Sequence, residues 1–420
     1  MDPQAGFDSS QRTQKKKLNM KSFFTLLSEL SNPEKTRNFN VFKNYSLDHF
    51  QKALNEFSLI DNLNSKYKPF RFSVVGTNGK GSTSHYLSEL LRNLSAENKV
   101  GLYTSPHFIT PLERISLNGT HISETETNSL LSELPADCEN ILKELSYFEL
   151  LTLVCFLFFR KNKCEYEVWE AGLGGRLDAT KLISPDVVVL TKIGLDHCEI
   201  LGNSLTGIAL EKIAIASPRT KYIFSFRQTE EVEEVIRREG SRLGCKVIFQ
   251  KEENKDNYLQ SNFRFACEIL SELGLSSESL TKLSFPLVKP PRGRMEILSS
   301  SPQIVFDPAH NPDAILHSLN HFQTQIAKGP FSLLLGCLPD KDSEGIANVL
   351  EGFSWENLIL WEGSGFARWT HLPQRRNILR TDSESELFTQ ISGLSHPLFV
   401  LGSFRLYSLI LHAMDKSNHL

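Results

Sequence analysis

The sequence predicts an α/β protein: a P-loop-type, mostly parallel sheet flanked by helices, followed by a smaller α/β, Rossmann-like domain. Three observations carry that prediction. Short β-branched and aromatic runs alternate with longer helical stretches, the pattern of a parallel sheet covered on both faces. One strand runs into Gly76-Thr77-Asn78-Gly79-Lys80-Gly81-Ser82 and then a helix, the order in which glycine loops cradle phosphate. The segment Val288-Lys289-Pro290-Pro291-Arg292-Gly293 interrupts the alternation, because paired prolines stop a helix and stiffen a connector. These features divide the chain into a tail over 1–20, expected to be disordered, a larger domain over 21–290 and a smaller one over 291–420.

The elements follow in order. A helix is expected over Leu47–Leu63, a strand over Phe72–Val75, a helix over Thr83–Leu94 and a short strand over Val100–Thr104. Ser105-Pro106-His107 then opens a loop through Glu113 and Arg114. Residues 123–144 are mixed and helical, and Phe148–Arg160 is an apolar helix. Strands Tyr166–Trp169 and Asp186–Thr191 follow, the first ending at Glu170 and the second just before Asp196-His197. Further strands fall at Lys221–Phe226 and Lys246–Phe249, with helices over Glu230–Gly240 and Phe263–Leu273. Past the connector, strands are expected at Gln303–Phe306, Phe331–Leu335, Leu358–Trp361 and Leu398–Leu401. The first of these meets the rigid turn Asp307-Pro308-Ala309-His310-Asn311-Pro312.

Composition narrows the function. A net charge of -3 over 420 residues gives no general attraction to nucleic acid or anionic membranes. The longest apolar run, Leu150–Phe159, is shorter than the ~20 residues a membrane span needs. Seven cysteines without paired metal spacing, and no recognisable signal peptide, point to reduced thiols and a cytoplasmic location. Lys15-Lys16-Lys17 sits in the polar tail, and Met20 is the expected physiological start.

Chemistry concentrates at strand ends, where open parallel sheets bind ligands. Backbone amides of the glycine loop can surround an anion, Lys80 can neutralise the outer phosphates, and the Ser82 hydroxyl can lie near magnesium. Glu170 and His197 can hold a divalent ion against those phosphates; an imidazole raises the odds of Mn2+ replacing Mg2+. Glu170 could instead pair with Arg176, and His197 could be an ordinary loop histidine. Lys212 is either a surface lysine or, if it faces the metal rim, a candidate for carbamylation, which turns a repelled ammonium into a carboxylate-like ligand. The bend Gly172-Leu173-Gly174-Gly175 brings Arg176 and Asp178 to the same mouth. Asp307 and His310 face an interdomain cleft in one reading; in the other, Asp307 only shapes the Pro308 corner.

Taken together, these segments resemble the folylpolyglutamate synthase/dihydrofolate synthase family of Mur-type ATP-dependent amide ligases. The likeness runs over roughly residues 45–410. It includes the glycine loop, Tyr103-Thr104-Ser105-Pro106-His107, Glu113-Arg114-Ile115, Phe148-Glu149-Leu150-Leu151-Thr152, Leu195-Asp196-His197, Glu211-Lys212, Gly293-Arg294, Asp307 to Pro312, Asp340-Lys341-Asp342 and Gly402-Ser403-Phe404. It also includes Glu170-Ala171-Gly172-Leu173-Gly174-Gly175-Arg176-Leu177-Asp178-Ala179-Thr180, of which the run Gly172 to Thr180 is highly specific. The resemblance implies that residues 21–290 form an ATP-binding central domain and 291–420 a glutamate ligase domain. It implies that Gly76 to Ser82 hold ATP, with Asn262 at the adenine, Arg294 at the phosphates, and Asp307 and His310 reaching in from the second domain. Ser105 and Glu170 would hold one magnesium ion; Glu170, His197 and carbamylated Lys212 a second. Arg176 and Asp178 would lie by the folate-like substrate.

The implied reaction joins L-glutamate to dihydropteroate, and to the γ-carboxylate of reduced folates, through an acyl phosphate in a monomeric enzyme. A single-activity member, a glutamate ligase for another aryl acid and an ATPase switch are the alternatives. Pro308, Lys181 and Ile213-Ala214 depart from the family pattern without removing an expected ligand.

Overall fold

The computed structural model describes residues 21–36, 45–57, 67–135, 138–251, 257–275, 285, 287–327, 329–374 and 377–417. The expected tail with Lys15-Lys16-Lys17, and the end of the helix expected over 47–63, lie outside the described residues. Strand β1 (Phe70–Val75), β2 (Val100–Tyr103), β3 (Ile115–Leu117), β4 (Thr120–His121), β5 (Tyr166–Glu170), β6 (Val187–Leu190), β7 (Tyr222–Ser225) and β8 (Lys246–Phe249) form an eight-stranded sheet in the order β4-β3-β2-β5-β1-β6-β7-β8. From β2 to β8 every neighbouring pair is parallel. The β3–β4 hairpin extends the edge antiparallel. It lies between the loop expected through Arg114 and the helical stretch expected from 123, where no element is expected, because its strands of three and two residues give no periodic signal.

Residue alternation explains why the central strands read as continuous apolar runs. Val187 and Val189 face a core with Tyr86, Leu87 and Phe263. Val188 and Leu190 face another with Ala209, Ile213 and Ile236. Helices Lys80–Arg92 and Tyr258–Glu272 supply the first cover; helices Leu205–Ile213 and Glu230–Leu243 supply the second. Both faces of the central sheet are covered, so a strand such as β6 is apolar on both sides. The apolar helix Tyr147–Asn162 starts at a Ser146/Glu149 capping box and is largely buried. It packs with Tyr103, Trp169 and the helix Phe23–Glu29. Among the described residues no helix is long and apolar enough to cross a membrane.

The remaining strands, β9 (Glu296–Ser300), β10 (Gln303–Asp307), β11 (Ser332–Leu335), β12 (Leu358–Trp361), β13 (Ile378–Thr381) and β14 (Leu398–Leu401), form a second sheet in the order β13-β12-β11-β14-β10-β9. It is parallel apart from β9, which runs antiparallel to β10. Sequence order is not strand order in either sheet. In the first, β1 lies between β5 and β6, so the glycine loop emerges between the loops that carry Glu170 and His197.

Candidate active site

The glycine loop begins where β1 ends. At Gly76 a Cβ would fall 1.8 Å from Thr191 Oγ1, so only glycine lets the loop pass this close to β6. Gly79 has a φ of 92° and turns the chain into the helix Lys80–Arg92, which begins three residues before its expected start. Thr77 Oγ1 donates to Gly194 O at 3.0 Å, tying the loop to the segment after β6. Lys80 curls back, its Nζ donating to Gly76 O at 3.1 Å and Thr77 O at 3.3 Å. Burial presses its pKa down, while Glu170 and Asp196 pull it up.

Lys212 arrives at the same carbonyl from the helix Leu205–Ile213. It is 4% exposed, and its Nζ donates to Gly76 O at 2.7 Å. Burial, then the Lys80 charge, pushes its pKa down to about 7. This is a buried amine that spends much of its time neutral near pH 7, not a surface lysine. Glu170, 3% exposed, lies across the first turn of the same helix as Lys80: a Cβ on Gly81 would meet its Oε2 at 3.4 Å. Burial pushes its pKa up to about 7, against the opposing pull of Lys80 and the Ser105 amide. That amide donates to Glu170 Oε2 at 3.1 Å. Arg176 does not pair with Glu170; its Nε donates to Glu211 Oε2 at 2.9 Å from an exposed position.

His197 sits beside Asp196. Its backbone N–H donates to Asp196 Oδ1 at 2.9 Å. Burial pushes its imidazole down to about 3, with Asp196 opposing and Lys341 and His310 adding to the effect. It is neutral at pH 7, the form that ligates metal. Burial also works against ionising Asp196, but His310, His197 and Lys341 together hold it below the usual carboxylate range. Lys341 Nζ reaches it at 2.7 Å and His310 Nε2 at 3.5 Å, so His310 does cross from the second domain. Beside it, Asn78 and Asn311 exchange side-chain amide hydrogen bonds at 3.3 and 2.9 Å. Asn78 Nδ2 also donates to Asp313 Oδ2 at 2.8 Å.

Three of the expected site residues are engaged within the protein itself. Asp307 does not offer a free carboxylate to the cleft. It is 1% exposed and accepts from the Tyr258 hydroxyl, Met295 N, Ala309 N and Ser318 Oγ. Asp178 likewise spends its oxygens inside the bend, accepting from Gly172 N, Leu173 N, Thr180 N and Thr180 Oγ1. Asn262 is wedged beneath Gly79, accepting from Thr83 Oγ1 and donating to Tyr258 O, so its amide braces the loop. Arg294 projects over the Phe404 ring, 5.3 Å from its centroid, and its charge is felt by both Lys80 and Glu170.

Sequence reasoning gave no role to Asp196, Lys341, Asn311, Tyr86 or His321. Asp196 and Lys341 stand within Leu195-Asp196-His197 and Asp340-Lys341-Asp342, which was the available signal. Tyr86 Oη and His321 Nδ1 are buried without a hydrogen-bond partner. Their rings flank the helix Tyr258–Glu272 through Phe263 and Tyr258. Nothing local in the sequence marks that. Among the described residues, no three His, Cys, Asp or Glu side chains gather into a metal cage. The hydroxyls of Ser82 and Ser105 and the carboxylate of Glu170 are the hard oxygen donors magnesium prefers, with substrate phosphates and water completing its shell. A carboxylate this reluctant to ionise alone also fits an ion that would restore its charge.

A Mur ligase middle domain model matches residues 74–271. A dihydrofolate synthase/folylpolyglutamate synthase from Buchnera aphidicola (strain APS) is 31% identical over 343 residues, covering 74% of this chain and 82% of that protein. The chain belongs to the dihydrofolate synthase/folylpolyglutamate synthase family. The Escherichia coli K12 member is 30% identical, covering 67% of this chain and 70% of its own. A Yersinia pestis bifunctional folylpolyglutamate synthase/dihydrofolate synthase structure with AMPPNP and Mn matches at a TM-score of 0.71 and 26% identity, covering 90% of this chain and 94% of that one. E. coli FolC with DHPP and ADP shares the fold at a TM-score of 0.76 and 24% identity, covering 96% and 99%.

Proposed function

We propose that this family member is an ATP-dependent amide ligase. It joins L-glutamate to dihydropteroate and extends reduced folates through their γ-carboxylates. The observation that carries the reading is the convergence of Lys80 and Lys212 on Gly76 O, with Glu170 across the same helical turn. Support comes also from related proteins described in complex with ADP and DHPP, with AMPPNP and Mn, and with Mn, AMPPNP and L-glutamate.

A carboxylate is a poor acyl donor because its charge repels nucleophiles and oxide is a poor leaving group. Its oxygen attacks the γ-phosphorus of ATP, ADP departs, and an acyl phosphate forms. The glutamate amine then attacks the acyl carbon, loses a proton, and phosphate leaves as the amide forms. The glycine-loop amides and Lys80 hold the phosphates and offset charge on the transferring group. Ser82, Ser105, Glu170 and His197 would hold a divalent metal, which would supply further charge neutralisation. Lys212 suits carbamylation: a neutral buried amine adds to carbon dioxide, releases a proton and becomes an anionic oxygen ligand. Asp196, Lys341 and His310 hold the second domain against the loop and keep water from the acyl phosphate. Arg176, exposed at the mouth, is assigned to the folate-like substrate. We assign it a cytoplasmic, monomeric state.

The test is a product assay with purified protein, ATP, magnesium, L-glutamate and either dihydropteroate or tetrahydrofolate. Amide formed only when both the acid and glutamate are present supports the ligase. ATP hydrolysis indifferent to both would establish an ATPase switch instead.

A further inference from the structure

The loop after Ser105 does more than carry a metal-ligand candidate: its tip crosses into the second domain. Glu113 shapes that loop from within. Its carboxylate accepts from the backbone N–H groups of Phe108, Ile109 and Thr110 at 2.9, 3.1 and 3.0 Å. The loop is therefore held by its own hydrogen bonds, and the Phe108 ring is left to project outward. It enters a socket in the second domain, with its centroid 4.6 Å from that of Tyr407, 5.1 Å from Phe404 and 6.2 Å from Phe306. Arg292 roofs the socket, with its guanidinium carbon 5.5 Å from the Phe108 centroid and 4.8 Å from that of Tyr407. Arg292 is held by the Tyr407 hydroxyl at 3.1 Å, and that hydroxyl donates to Glu296 at 2.9 Å.

Gly293 makes room for the ring. A Cβ there would lie 2.2 Å from Phe108 Cζ, and its φ of +75° disfavours any side chain. The socket is thus cut to admit Phe108. It also joins two parts of the site. Three residues before Phe108, the Ser105 amide holds the Glu170 carboxylate. On the far side of the ring, Phe404 supports the Arg294 guanidinium.

We propose that Phe108 is a positioning residue that couples domain docking to the chemistry. Seating its ring fixes the Ser105–Glu170 arm and the Phe404–Arg294 arm relative to each other, so both address the ATP phosphates only when the domains are together. Losing the ring leaves each domain folded but lets the arms drift, and the acyl phosphate is then exposed to water. This rests on the ligase reading above. A displacement of about 1 Å in such an arrangement costs up to ~10²-fold in rate.

The experiment measures amide and phosphate together for wild type, Phe108→Ala, Phe108→Leu and Gly293→Ala, alongside thermal unfolding. Wild type that makes no amide overturns the ligase reading itself. With wild type active, Phe108→Ala should lose roughly tenfold or more in amide turnover and release several phosphates per amide. Its unfolding temperature should stay near wild type. Phe108→Leu, which refills most of the socket, should restore near one-to-one stoichiometry. Gly293→Ala should leak like Phe108→Ala, and combining the two should cost less than the sum, because they compete for one space. One phosphate per amide in Phe108→Ala, or a turnover loss that only tracks unfolding, overturns the proposal. If Phe108→Ala does not fold, the stoichiometry of Gly293→Ala decides: leakage supports the coupling and tight stoichiometry removes it.

Discussion

Glu170 and Asp307 each end a parallel strand, each is buried, and both belong to the group of acidic residues expected to act on the nucleotide. They are in opposite states. Glu170 accepts one backbone amide, and burial lifts its pKa to about 7. Asp307 accepts from four donors within its own surroundings. A carboxylate whose hydrogen-bonding capacity is already met organises a corner. One left with unspent capacity in a dry place is available to a cation. The same contrast separates Lys212, buried on one carbonyl, from the many lysines in water.

The largest test of that contrast is Lys80→Ala, which should lower amide formation by ~10³-fold or more, since charge on the transferring group loses its fixed partner. Unchanged turnover in a product assay would take Lys80 out of the mechanism. Next, Glu170→Gln should cost ~10²-fold in metal-dependent ATP use, and a magnesium titration should show weaker metal dependence; an unaltered titration would put the metal elsewhere.

Stability and pH sharpen the comparison further. Between about pH 4.5 and 7, folded Glu170 keeps a proton that the unfolded chain has released. The free protein therefore loses stability as pH rises through that window, by at most about 3 kcal/mol for this group. Lys212 acts in the opposite sense above pH 7, where the unfolded chain still holds a proton that the folded amine has lost. Urea midpoints at pH 5 and 8 should converge in Glu170→Gln; an undiminished pH difference would mean Glu170 ionises freely. Asp307→Asn should instead destabilise by about 1–3 kcal/mol, because an NH2 group replaces one of the two oxygens that accept from buried donors. Its folded fraction should bind ATP nearly normally, and a selective loss of ATP affinity would return Asp307 to the nucleotide. Smallest is Arg176→Gln, which breaks an exposed pair worth under about 1 kcal/mol. Its effect should appear in the KM for the folate-like acid, with the unfolding midpoint almost unmoved.

Much of this was legible in one dimension. The apolar runs that became β1, β5, β6 and β14, the turn into Lys80, and the capped helix Tyr147–Asn162 each follow from a few neighbouring residues. Strands β3, β4, β9 and β13 did not show: β3 and β4 have three and two residues, and β9 and β13 are edge strands whose mostly exposed or half-buried residues form no apolar run. Gly76, Lys80, Glu170 and Lys212 could be singled out by residue type and by family likeness. What those side chains touch could not.

The sequence alone determined the alternation of strand and helix and the glycine-loop chemistry, because backbone preference and local spacing act over a handful of residues. Tertiary structure decided that β1 would lie between β5 and β6, placing Gly76 O under two lysines and Glu170 across the turn from it. It also set Asp196 against Lys341, Asn78 against Asn311, and Phe108 in a socket built from residues nearly 200 positions or more away. Desolvation and cross-domain pairing depend on what the whole fold brings together, and no stretch of sequence contains them.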